Sequence, residues 1–133
     1  MESFKFLFTV IIFSALFSCA KSEGVGGRAS IEGKVMVDNI NILGNIVDSY
    51  EAQDLEVFII YGQENNTHND DVNTSYDGSF EFKYLNTGNY EIFLYSDCMN
   101  CAKGQDSLIS RNITIEDSKE IIKIDTIRIA NFI

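Results

Sequence analysis

Residues 72–84 constrain this chain more than any other stretch. Asp77-Gly78 lies between two runs, 72–76 and 79–84, in which apolar and polar side chains alternate. A period of two is the mark of a strand with one buried face. Asp-Gly between two such runs predicts a two-residue hairpin turn. Both central residues of that turn need positive φ, which Gly and Asp tolerate best. Phe80 and Phe82 share a parity and are expected in the core, with Glu81 outward.

The rest of the chain agrees. Ile31, Gly33, Val35 and Val37 alternate with Glu32, Lys34 and Met36. Residues 55–61 are nearly all apolar and read as a central strand, and 91–96, 107–115 and 120–129 supply three more. The last two are joined by a turn at 116–119. Ile122 and Ile124 have one parity and Ile127 and Ile129 the other, which predicts a bulge near Asp125. Residues 38–53 form an excursion holding a short extra strand or turn, with Ile40, Ile42, Leu43, Ile46 and Val47 expected to be buried. Residues 63–71 are polar and read as an exposed loop. No stretch carries a convincing helical period. The reading is all-β: a seven-stranded antiparallel sandwich.

The N-terminus is of a different kind. Residues 6–17 are twelve in number, and only Thr9 and Ser14 among them are polar. A bilayer-spanning helix needs about 20 apolar residues, so this stretch suits a signal-peptide core instead. It ends in Leu16-Phe17-Ser18-Cys19, which resembles the bacterial lipoprotein lipobox. The resemblance implies cleavage before Cys19 and a diacylglyceryl group on its thiol. The expected organisation is a signal peptide at 1–18, a lipidated Cys and flexible Gly-containing tether at 19–30, and a domain at 31–133. Removing 18 residues from 133 leaves 115, with 16 Ile, 6 Val and 5 Thr against 5 Leu and 5 Ala, a balance that favours strands. Glu2 and Lys5 leave together, so the net charge stays at −10. That charge argues against nucleic acid as a partner.

The motif Tyr76-Asp77-Gly78-Ser79-Phe80-Glu81-Phe82, followed by Leu85, Gly88 and Tyr90, resembles the carboxypeptidase regulatory-like domains. The opening Ile31-Glu-Gly-Lys-Val35 matches their usual first strand. The resemblance implies a transthyretin-like (prealbumin-like) sandwich in Greek-key order, common as a non-catalytic accessory module. Asp77, Gly78, Phe80, Phe82, Gly88 and Tyr90 then read as structural. Gly88 permits a tight corner, and Tyr90 is expected to hydrogen-bond back over it as a tyrosine corner does.

Few residues suggest chemistry. Once Cys19 carries lipid, Cys98 and Cys101 are left as a pair in an oxidising compartment. A disulfide, free thiols, a redox motif and a metal half-site all remain open for them. A metal would need two more ligands, and His68 is the only His. Asp71-x-Asn73-x-Ser75 fails the calcium-loop pattern, because Tyr76 stands where Gly is needed. No nucleophile and acid/base set converges, so no enzyme, cofactor or resident metal is expected. The reading is an envelope lipoprotein, expected at the outer membrane, held through acylated Cys19 and acting as an accessory or interaction module for a protein or glycan partner. The alternatives are a metal- or redox-active module using Cys98 and Cys101, or a ligand- or glycan-binding module using Tyr50 and Tyr61.

Overall fold

The computed structural model describes residues 21–63, 67–102 and 105–133. Among the described residues there are nine strands and no helix. They are β1 (Val25–Ile40), β2 (Ile46–Glu51), β3 (Glu56–Tyr61), β4 (Asp70–Asn73), β5 (Ser79–Leu85), β6 (Gly88–Ser96), β7 (Ser107–Ile115), β8 (Ile121–Lys123) and β9 (Ile127–Phe132). Two sheets face each other across one core. The first is built around β1, and the second runs β4-β3-β6-β7 and is antiparallel throughout.

β1 organises the first sheet. Its 16 residues are too many for any one neighbour. On one side it pairs with β5 over its N-terminal half and with β2 over its C-terminal half. On the other side it pairs with β8 and then β9, both in parallel. The expected wholly antiparallel, seven-stranded arrangement is therefore corrected to nine strands with two parallel pairings. β1 also opens at Val25, inside the segment read as tether, and Val25 and Ala29 pair with Leu85.

The parity change near Asp125 has a larger cause than a bulge. Residues 124–126 separate β8 from β9, which lie along the two halves of β1. Ile122 and Ile124 pack at the margin of the core, while Ile127 and Ile129 are buried in it.

The core matches the alternation closely. Ile31, Val35, Val37, Phe80, Phe82, Ile127 and Ile129 meet Val57, Ile59, Tyr90, Ile92, Leu94, Ile113 and Ile115. Gly33 faces Phe80 across the β1–β5 ladder, and a Cβ at Gly33 would sit 2.5 Å from that ring. The ring thus fills the space a side chain would take. Alternation breaks at Tyr84, whose φ of +59° turns its ring outward and lets Leu85 go in.

The Asp77-Gly78 turn forms, but it joins no hairpin. β4 pairs with β3 and β5 pairs with β1, so the turn is a corner between sheets. Ser75 N donates to Ser79 O at 2.8 Å and Gly78 N to Ser75 O at 2.9 Å. Only Gly78 takes positive φ, at +79°. Asp77 instead accepts hydrogen bonds from Ser79 N and Ser79 Oγ. The strand before this corner is Asp70–Asn73 rather than 72–76, so part of the expected 63–71 loop is strand.

The 38–53 excursion is a hairpin. Asn41 N donates to Asn45 O and Gly44 N to Asn41 O, which closes the turn between β1 and β2. The expectation of buried apolar residues fails here. Ile42, Leu43, Ile46 and Val47 are all more than half exposed, because β2 extends past the area that the opposite sheet covers.

One buried charge ties β2 and β9 to β1. Asp38 is buried and takes hydrogen bonds from Arg128 Nε at 2.8 Å and Ser49 Oγ at 2.6 Å, with Arg128 Nη2 also against it. The Arg128 hydrogen bond holds its carboxyl below the usual carboxylate range, although burial pushes the other way. A lowered folded pKa stabilises the native state above the unfolded value, and the gain is lost as pH falls through the folded one. Acid unfolding of the wild type should therefore carry a component below about pH 4 that Asp38→Asn lacks. Thermal melts between pH 2 and 7 check this; parallel pH curves for the two proteins would count against it.

Candidate functional site

A groove of about 310 Å³ opens at one edge of the sandwich, where the two sheets diverge. From the first sheet it is lined by Val37, Tyr50, Ile129 and Asn131, and from the second by Tyr95 and Ser96. Gln53, Asp97 and Asp106 complete its polar rim. Register explains Tyr50. It pairs with Val37, and paired residues in an antiparallel ladder share a face. Val37 is in the core, so Tyr50 stands on the inner face and, 44% exposed, overhangs the opening.

The far wall is fastened across the sheets. Ala130 N donates to Ser96 Oγ at 2.8 Å, Asp97 N to Ala130 O at 3.2 Å, and Phe132 N to an Asp97 carboxylate oxygen at 3.2 Å. These bonds hold the end of β6 against β9. Directly after them Cys98 and Cys101 form a disulfide, with Cα atoms 5.5 Å apart. It lies in the connection whose two ends bring Asp97 and Asp106 to the groove. With both sulfurs in that bond, neither thiolate is available to a metal or a substrate.

The lining offers the Tyr50 ring, two carboxylates and two side-chain amides, and no Lys, Arg or His; the ring of Tyr95, which also borders the groove, packs instead against Phe58 and Phe93. Such a surface suits a neutral or cationic ligand rich in hydrogen-bonding groups and disfavours an anion. A second cleft, of about 500 Å³, lies between β4 and the β1–β5 pair. It is the larger of the two. However, its one aromatic residue, Phe80, is buried in the core, and its charged residues Glu32 and Glu81 stand opposite each other across the ladder. It presents no ring to a ligand, so the Tyr50 groove is the better candidate.

The remaining residues singled out in the sequence fall elsewhere. Phe80 and Phe82 are core residues, and Gly88 opens β6 with φ of +141°. Tyr90 is 2% exposed; its hydroxyl donates to Asn86 O at 2.7 Å and accepts from Gly24 N at 2.9 Å, as a tyrosine corner requires. Burial pushes its phenol above the usual range. Tyr61 packs edge-on against Tyr90, 5.8 Å between centroids, so it belongs to this corner and not to the groove. His68 lies 4.7 Å from the Phe58 ring, in a cluster with Phe93 and Tyr95 on the outer face of the second sheet. No cluster of three His, Cys, Asp or Glu suited to a metal exists among the described residues. Cys19 lies outside the described residues. Sequence reasoning named Tyr50 but missed Gln53, Asp97, Asp106 and Asn131, which come from four separate segments. Only the position of Asp97 and Asp106 on either side of the cysteine pair hinted at them.

No family model matches this chain, and no curated protein matches it. Among solved structures it is similar to a Pseudomonas aeruginosa protein described as a candidate carbohydrate-binding protein. The two share 10% identity over 89% of this chain and 96% of that one, with a TM-score of 0.48.

Proposed function

We propose that this chain is a lipid-anchored, non-catalytic binding module of the cell envelope, a carboxypeptidase regulatory-like domain carried on acylated Cys19. Its ligand site is the Tyr50 groove, and the ligand is a hydroxyl-rich, uncharged molecule of the sugar class. The observation that carries this is the groove's composition: an overhanging tyrosine beside carboxylates and amides, with no cationic side chain. A sugar ring offers an apolar C–H face to stack on an aromatic ring and hydroxyls for acids and amides to bind in pairs. The −10 charge fits an uncharged ligand and disfavours acidic polymers.

Titration of neutral mono- and oligosaccharides, followed by amide shifts or calorimetry, tests the site. Tyr50→Ala should weaken binding about tenfold or more, consistent with the loss of 1.4 kcal/mol or more of stacking and area. Tyr61→Phe should leave it unchanged. Absence of any saccharide binding, or equal affinity in Tyr50→Ala, would overturn the assignment. The anchor has its own test: Cys19→Ala should abolish acyl labelling and shift the protein out of the membrane fraction. Two or more chains anchor stably where one is marginal. An unlabelled wild type that still fractionates with membranes would reject the lipoprotein reading.

A further inference from the structure

We infer that the end of the sandwich where the chain enters is a membrane-contact surface, seated on the phosphates of lipid headgroups, so that the Tyr50 groove faces away from the anchoring membrane. The inference rests on the acylated Cys19 proposed above. The chain is already bound to the folded body at Ser22. Asn86 Nδ2 donates to Ser22 O at 3.1 Å and to Val25 O at 3.4 Å, and Gly24 N donates to the Tyr90 hydroxyl at 2.9 Å. From Cys19 to Ser22 the covalent chain can extend roughly 10 Å, at about 3.5 Å per residue. A lipid on Cys19 thus leaves little slack to hold the domain off the bilayer, and the entry end meets the headgroup layer.

The chemistry of that end suits such a layer. A cleft of about 400 Å³ there is lined by Lys21, Arg28 and Lys119, with Asn86, Thr87 and Ser118 beside them and no acidic side chain. None of the three cations has an ion pair among the described residues, in a chain of net charge −10. Three nearby acids are turned to backbone amides. Glu120 Oε2 accepts from Glu116 N and Asp117 N, Asp117 Oδ1 from Lys119 N, and Glu23 Oε1 from Asn89 N. Glu116 is the one other acid of that turn, and it is exposed. Unpaired ammonium and guanidinium groups beside hydroxyl and amide donors are what phosphate oxygens bind. Apolar contact adds to this. Val25 is 63% exposed and Tyr84 is 67% exposed, and Tyr84 precedes the Leu85 that pairs with Val25. Tyrosine rings favour the boundary between headgroups and acyl chains. The groove lies at the other end: from Val25 to Val37, which lines it, β1 covers roughly 40 Å at about 3.3 Å per residue. Its ligand is then met on the side away from the membrane that carries the protein.

The test uses the full-length acylated protein in vesicles of phosphatidylethanolamine and phosphatidylglycerol that include a nitroxide-headgroup lipid. Gln63→Cys and Leu43→Cys each carry one fluorophore. Both positions are exposed; Gln63 lies beside the entry end, where Gly62 N donates to Asn89 O, and Leu43 lies at the far hairpin. Quenching should remove most of the emission at 63 and little at 43. Arg28→Glu with Lys119→Glu should lose most of the quenching at 63, while acyl labelling and membrane fractionation stay as in the wild type. Added salt should weaken the quenching at 63 in the wild type. Equal quenching at 63 and 43, or quenching at 63 that the double variant keeps, overturns the proposal. Inorganic phosphate that shifts the Gly26, Gly27 and Arg28 amides in detergent, in a protein whose two probes are quenched alike, would make the cleft a free-anion site and also overturns it. Acyl labelling of the same samples separates the two failures. An unlabelled wild type rejects the anchor and the orientation with it, whereas a labelled one with equal quenching rejects the orientation alone.

Discussion

Gly78→Ala should destabilise the domain by roughly 3 kcal/mol or more, combining backbone strain with an unavoidable overlap. Two independent facts converge on this residue. Its φ is +79°, where an L side chain is strained, and a Cβ would sit 2.4 Å from Val35 O. That carbonyl cannot yield, because it accepts Ala52 N at 3.0 Å, while Val35 N donates to Gly78 O at 2.9 Å. β5 and the end of β2 thus meet β1 at one residue, and Gly78 sits in the join. Chemical denaturation should show a lower midpoint with an unchanged slope. Asp77→Ala, which removes only the exposed caps to Ser79, should cost much less. Equal midpoints for Gly78→Ala and the wild type would mean the corner is not as tight as drawn.

Tyr90→Ala should be comparably severe, about 3–5 kcal/mol, by opening a cavity under a fully buried ring. Tyr90→Phe separates the two roles of this residue. It keeps the packing and removes only the hydroxyl, leaving Gly24 N and Asn86 O without the partner at 2.9 and 2.7 Å. The expected cost is about 1–2 kcal/mol, with faster amide exchange at Gly24 and at the start of β1. This hydroxyl links residues 66 apart in sequence, and it holds the chain's entry into the domain against the β5–β6 corner. Unchanged exchange at Gly24 in Tyr90→Phe would show that the entry is held by other contacts.

Much of this was legible beforehand because it depends on short-range periodicity. Alternation placed Phe80 and Phe82 in the core, and the tyrosine corner followed from the spacing of Gly88 and Tyr90 within one resembling motif. The cysteine spacing left four outcomes open for Cys98 and Cys101, and the structure selects the disulfide. Errors arose where a local signal has two tertiary outcomes. Asp-Gly can close a hairpin or turn a corner between sheets, and the choice depends on which partners β4 and β5 find. Apolar residues in the 40–47 segment read as buried because hydrophobicity reports a preference, and the opposite sheet does not reach that far.

By itself, the sequence of this protein determined an all-β sandwich, the inward parity of Phe80 and Phe82 and an acidic charge, and through the resembling motif it pointed to the tyrosine corner. The strand signals and their parity rest on neighbours within about ten positions. The tertiary structure alone decided that β1 would serve four partners, that β8 and β9 would run parallel to it, and that β2 would be left with a free edge. It also decided the groove, which joins Tyr50, Gln53, Asp97, Asp106 and Asn131 across some 80 positions. The reason is physical: side-chain parity is set by the covalent period of a strand, whereas strand partnership is set by which long-range pairings cover the most apolar surface.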